Sequence, residues 1–136
     1  MNRFFLPFLC ASIGFLSPVW AQAPACCNLL TNGDFEQGYT EFTSGLPQSC
    51  ACASNSHCVS TNFQSKCGGW DNVPDHTSGS GNFLIIDGGT GGGVDVWRKS
   101  TPILANVNYC FSFWVVSQYD EAFDLELTVD GVSVPG

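Results

Sequence analysis

From residue 28 onward, short apolar runs and alternating segments recur between turn residues at intervals of about eight to fifteen positions, the pattern of a β-sandwich or barrel. Residues 82–86, Asn-Phe-Leu-Ile-Ile, predict a short strand that ends at Asp87-Gly88. Residues 94–98, Val-Asp-Val-Trp-Arg, alternate with Val94 and Val96 on one face. In 109–116, YCFSFWVV, the period of two puts Tyr109, Phe111, Phe113 and Val115 on one side and Cys110, Ser112, Trp114 and Val116 on the other. The first set is uniformly large and apolar, so this segment is expected as a central strand over an inter-sheet core. Alternation continues through 123–129, Asp130-Gly131 supplies a two-residue hairpin turn, and Val132-Ser-Val134 begins the return strand. Asn32-Gly33 opens a further turn.

Beyond the first 21 residues no stretch keeps helical periodicity over ten positions, so a βαβ architecture has no crossover helix. The fold class expected is all-β, with antiparallel sheets. The run GGTGGG at 88–93 lacks the Lys-Ser/Thr of a phosphate loop and leads into a strand rather than a helix. It is expected as a mobile connection.

Residues 1–21 carry Arg3, an apolar run of about thirteen residues broken by Pro7 and Gly14, and small side chains at Val19 and Ala21, the signature of a secretory signal peptide. A spanning helix needs about twenty apolar residues, so no membrane insertion is expected after the signal is removed. The expected division is a signal peptide at 1–21, a Cys-containing linker at 22–27 and a module at 28–136. The product is expected outside the cytoplasm, secreted or on the cell surface.

Cys10 leaves with the signal, and Cys26, Cys27, Cys50, Cys52, Cys58, Cys67 and Cys110 remain. Secretion makes disulfides their default state. The odd number leaves one thiol over, or points to an intermolecular disulfide or an adjoining domain. All but Cys110 precede residue 68, so most bridges should staple the N-terminal half, and Cys58 with Cys67 can clip the two ends of the stretch between them. Cys50, Cys52, Cys58 and Cys67 with His57 hold the ligand types of zinc but lack paired CxxC knuckles, so disulfides are the expected outcome.

Composition narrows the function. The net charge is −8, with four Lys+Arg against 12 Asp+Glu, and losing Arg3 makes the mature chain more acidic still. Nucleic-acid binding needs clustered cations to displace counterions, so no nucleic-acid partner is expected. Asp75, His76, Ser78 and Ser80 supply the residue types of a hydrolytic triad, but neighbours in one loop rarely reach triad geometry and no G-x-S-x-G elbow occurs. No carboxylate pair is marked as a glycosidase's. The chain is expected not to be an enzyme.

Three strings in order carry a resemblance. Asn28-Leu-Leu-Thr-Asn-Gly-Asp-Phe-Glu-Gln-Gly38, then Pro74-Asp-His-Thr-Ser-Gly-Ser-Gly-Asn-Phe-Leu-Ile-Ile-Asp87 with Val96-Trp97, then Asn108-Tyr-Cys-Phe-Ser-Phe-Trp-Val115, are similar to galactose-binding-like β-sandwich modules, notably carbohydrate-binding modules of the family 4/9 type. The resemblance spans 28–134 and implies a jelly-roll sandwich on a secreted or surface protein. Two departures stand out: a Cys-rich insertion at 48–67, and the further strands such modules usually carry beyond the hairpin at Asp130-Gly131. The expectation is a module lacking its last strands, with an exposed edge prone to pairing.

The resemblance implies non-catalytic binding of a glycan or cell-surface polysaccharide. It also implies a structural calcium, with Glu36 at the matching acidic position and Asp34 as the weaker candidate; calcium takes six to eight oxygens, so two carboxylates cannot complete its shell. Sugar binding needs an exposed aromatic face with polar groups around it. Trp114 lies with Ser112 on the non-core face of 109–116, Trp97 shares a face with Asp95 and Lys99, and Trp70 lies in a Gly-Gly-Trp-Asp-Asn loop where Asp71 and Asn72 supply polar contacts. Tyr119 is a further aromatic candidate. The competing class is an adhesion or spacer module that binds a protein partner or nothing, which fold alone does not separate from a lectin-like module.

Overall fold

The computed structural model describes residues 28–88, 92–118 and 124–134. The leader, Cys26, Cys27, Tyr119 and residues 89–91 of the glycine run lie outside the described residues. The chain divides into two compact units, Asn28–Pro102 and a second that contains Ile103–Gly136. The described residues are all-β in character: their strands form two small antiparallel sheets, and a single 3-10 turn at Phe63–Ser65 is their sole helical element.

In the first unit β1 (Ser56–Ser60) pairs antiparallel with β2 (Phe83–Asp87), with Cys58 opposite Ile85 at the centre of the register. β2 is the strand expected from 82–86, displaced by one residue. β1 comes from the Cys-rich stretch expected as an insertion, and it is flanked on both sides. His57 donates its backbone N–H to Pro47 O at 3.0 Å, and Ser49 N donates to His57 O at 2.9 Å, so residues 47–49 run beside β1 opposite β2. Residues 48–67 therefore carry the centre of the unit. Cys58, Phe63 and Ile85 form its buried cluster, with Trp70, Val73 and Phe83 packed against it.

Two disulfides close this region. Cys50 is bonded to Cys58 and Cys52 to Cys67, which corrects the expected Cys58–Cys67 clip and excludes these four cysteines as zinc ligands. The bridges cross: each joins one residue of the Cys-Ala-Cys pair to a buried partner, in β1 or after the 3-10 turn. Cys110, in the other unit, is also disulfide-bonded.

Lys66 is the most unusual side chain here, because its ammonium group has no solvent exposure. Nζ donates to Ala51 O at 2.5 Å, Ala53 O at 2.9 Å and Ser56 Oγ at 2.6 Å, and stands 3.7 Å from Asp87 Oδ2. An ammonium has three donors, and all three are used. The cation thus takes the place of apolar filling inside the disulfide-bonded loop, tying residues 51–56 to the end of β2.

In the second unit β3 (Thr128–Val129) and β4 (Val132–Ser133) form the expected hairpin. Asp130 and Gly131 have φ of 51° and 77°, the two positive values a type I′ turn requires. The expected central strand at 109–116 is corrected: these residues join no β-ladder among the described residues. Their two-sidedness holds only in part: Tyr109, Phe111 and Val115 are half-buried and all the even positions are exposed, but Phe113, expected on the core face, is 47% exposed. Alternation gives a segment two faces, but a strand also needs a neighbour to receive its backbone hydrogen bonds. The expected strand at 94–98 is likewise reduced to a single antiparallel bridge between Arg98 and Thr43.

Candidate functional site

The Asn28-to-Glu41 segment is organised by a buried amide. Asn32 adopts φ of 54°, a left-handed conformation that asparagine tolerates better than most residues. Its Nδ2 donates to Gly38 O at 3.0 Å and Thr40 O at 2.8 Å, and its Oδ1 accepts from Gln37 N at 2.9 Å. The Asn-Gly motif expected as a turn is therefore also the hub that closes the following eight residues. Glu36 emerges from this loop and its Oε1 accepts from Asn82 N at 3.0 Å, joining the N-terminal motif to the start of β2. Gly81 permits that approach: a Cβ there would overlap Glu36 Oε1 and lie 2.7 Å from Ser78 Oγ.

Beyond this loop the chain builds a groove of about 330 Å³, lined by Glu41, Phe42, Thr43, Arg98, Lys99 and Ser100. Its two walls are held by reciprocal backbone bonds, Thr43 N to Arg98 O at 2.9 Å and Arg98 N to Thr43 O at 2.8 Å, with Gly45 N donating to Asp95 O at 2.7 Å. Phe42 is half-buried and fixed by edge contacts to Phe35 at 5.6 Å and to His57 at 6.2 Å between ring centroids. His57 is itself anchored: its ring Nδ1 lies 3.0 Å from Leu46 O, and because a carbonyl only accepts, Nδ1 carries the proton. One aromatic wall of the groove is thus set by packing before any ligand arrives.

The groove's charged groups are unequal. Lys99 has a side chain only 6% exposed, and Nζ donates to Thr31 O at 2.8 Å, Thr31 Oγ1 at 2.6 Å and Glu41 Oε2 at 3.1 Å. The hydrogen bond from Lys99, with that from the Thr31 hydroxyl, holds the Glu41 carboxyl below the usual glutamate range. Arg98 is 69% exposed and pairs with Asp95 three residues earlier.

The expected site residues are distributed over both units. Trp97 precedes the groove residue Arg98 and is half-buried. Trp70 is half-buried against the core, 6.2 Å from Phe63 between ring centroids, while Asp71 and Asn72 beside it are exposed. Trp114 is 54% exposed and belongs to the other unit. Tyr119 lies outside the described residues. Glu36 and Asp34 are both exposed, and Asp34 Oδ1 accepts from Glu36 N at 3.4 Å. Among the described residues no three His, Cys, Asp or Glu side chains cluster in a way that could hold a metal ion, so these two acids would need carbonyl oxygens and water to hold calcium. None of the described helices is long and apolar enough to cross a membrane. Sequence reasoning missed Phe42, Glu41 and Arg98, because Lys99 and Glu41 meet across 58 residues and no local pattern marks that pairing.

Comparison with protein-family models, curated proteins and solved structures finds no match to this chain.

The carboxyls also set an acid limit. Burial pushes Asp75 up, but the N–H groups of Ser78 and Thr77, the Ser78 hydroxyl and the charge of His76 outweigh it and leave Asp75 below its ordinary range. Glu41 moves in the same direction. For both, the unfolded chain takes up protons first, so their contribution is present above the ordinary carboxylate range and lost as pH falls through the lower folded values. The thermal midpoint should therefore hold between about pH 5 and 8 and drop below about pH 4, and Asp75→Asn should make that drop shallower. A midpoint that rises on acidification below about pH 4 would contradict this assignment.

Proposed function

We propose that the chain is a secreted, non-catalytic carbohydrate-binding module of the galactose-binding-like sandwich type, whose sugar-facing surface is the groove between 41–43 and 98–100. The observation that carries the reading is the pairing, in one groove, of a fixed aromatic wall at Phe42 with the polar groups of Glu41, Thr43, Arg98 and Ser100. Apolar contact receives the C–H face of a pyranose, and hydroxyl, carboxylate and guanidinium groups orient its hydroxyls. The volume suits a site for one or two sugar rings, at the lower end of small-ligand pockets. Trp97 borders this surface, and the Trp70, Asp71 and Asn72 loop offers a second polar-aromatic patch in the same unit. Crossed disulfides agree with passage through an oxidising compartment. A calcium held by Glu36 and Asp34 would stiffen the junction with Asn82 rather than touch the sugar.

A glycan array on the full mature chain, run with calcium and with chelator, tests the reading. Binding to a defined set of saccharides is expected, with chelator lowering stability more than selectivity. A second reading, adhesion to a protein partner, is favoured by the exposed apolar side chains of Leu104, Phe113, Trp114 and Val116. No glycan bound under either condition would select it.

A further inference from the structure

Lysine and arginine are scarce in this chain, four against 12 acids, and their placement in the first unit is selective. Lys66 is fully buried with its three protons committed to Ala51, Ala53 and Ser56. Lys99 is committed in the same way to Thr31 and Glu41. Arg98 alone among the described Lys and Arg residues presents an exposed cationic group, and it does so on the groove.

Arg98 can also change partner at little cost. Its contact with Asp95 engages Nη2, one edge of a planar fork that carries five N–H donors. Both side chains are substantially exposed, at 69% and 48%, and surface pairs of this kind are weakly held. A ligand carboxylate can accept two parallel bonds from the fork, a stronger arrangement than the single Nη2 contact. Glu41, the groove's own carboxylate, is neutralised by Lys99 and does not oppose an incoming anion. The charge of −8 on the whole chain does oppose a polyanion.

We infer that the groove selects saccharides bearing a single carboxylate, of the uronic-acid type, through Arg98. The inference rests on the carbohydrate reading above and specifies its ligand class. The backbone of Arg98 keeps its bridge to Thr43 whatever the side chain, so Arg98→Gln and Arg98→Lys should leave the fold intact, as circular dichroism will verify.

Calorimetric titration of the full mature chain with matched pairs of oligosaccharides, ending in a uronic acid or in the corresponding neutral gluco-, galacto- or manno-hexose, tests it. In at least one pair the acidic member should bind about tenfold tighter, Arg98→Gln should bring the two within about twofold, and Arg98→Lys should keep part of the difference. Equal or tighter binding of the neutral member in every pair would overturn the inference and leave the groove as a neutral-sugar site. An acidic preference unchanged in Arg98→Gln would overturn it too, by placing recognition elsewhere. Failure of both members of every pair to bind the folded chain would overturn the carbohydrate reading and this inference together.

Discussion

Replacing Lys66 by Met should cost about 3 kcal/mol of folding free energy, measured by denaturant unfolding of the oxidised chain at neutral pH. The ammonium has no solvent exposure and supplies hydrogen bonds to two carbonyls and a hydroxyl while facing Asp87. Methionine matches the length of the side chain, so little volume is lost and the effect reports the missing charge and donors. Removing one member of a buried ion pair costs about 3–5 kcal/mol, because the partner is left uncompensated. The low end applies here, since Ala51 and Ala53 are exposed and the Asp87 side chain keeps 18% exposure, which lets water replace part of what is lost. Asp87→Asn should cost less than Lys66→Met, because three oxygens still hold the ammonium. A loss below about 1 kcal/mol for Lys66→Met would mean that the loop does not depend on this cation.

Removal of the Cys52–Cys67 bridge, as Cys52→Ser with Cys67→Ala, should cost a further amount of the same size, about 3 kcal/mol. The bridge closes 15 residues, and the loop entropy returned to the unfolded chain sets that figure; the Cys50–Cys58 bridge closes eight and should contribute about 2.5 kcal/mol. The two loops overlap between Cys52 and Cys58, so their effects will not add. A small domain has about 5–15 kcal/mol in total, and losing both bridges should leave the Asn28–Pro102 unit close to unfolding. Reductant should therefore lower the unfolding midpoint steeply. An unchanged midpoint in reductant, with both bridges shown to be reduced, would contradict the dependence on disulfides.

These two effects explain why β1 was not legible in the sequence while β2 and the hairpin were. Phe83 to Ile86 is continuously apolar, and Asp130-Gly131 specifies its turn through local backbone preference alone. Ser-His-Cys-Val-Ser in β1 has no such pattern. Its burial is made affordable by distant partners: Leu46 O for His57, Nζ of Lys66 for Ser56 and a disulfide for Cys58. Residues 109–116 show the converse, a strong alternation whose ladder partner is not found among the described residues. The groove was illegible for a related reason, since its walls come from 41–43 and 98–100 and are joined through the Thr43–Arg98 bridge. Trp97 pointed to its neighbourhood, but the half-buried Phe42 supplies the aromatic wall.

The most direct measurement is an isotope-labelled titration of the full mature chain with the saccharide selected on the array, following backbone amide shifts residue by residue. Saturable shifts centred on 41–43 and 98–100, abolished by Phe42→Ala with the fold retained, are the predicted result. Saturable shifts confined to 103–118 around Trp114, with the groove unmoved, would contradict it.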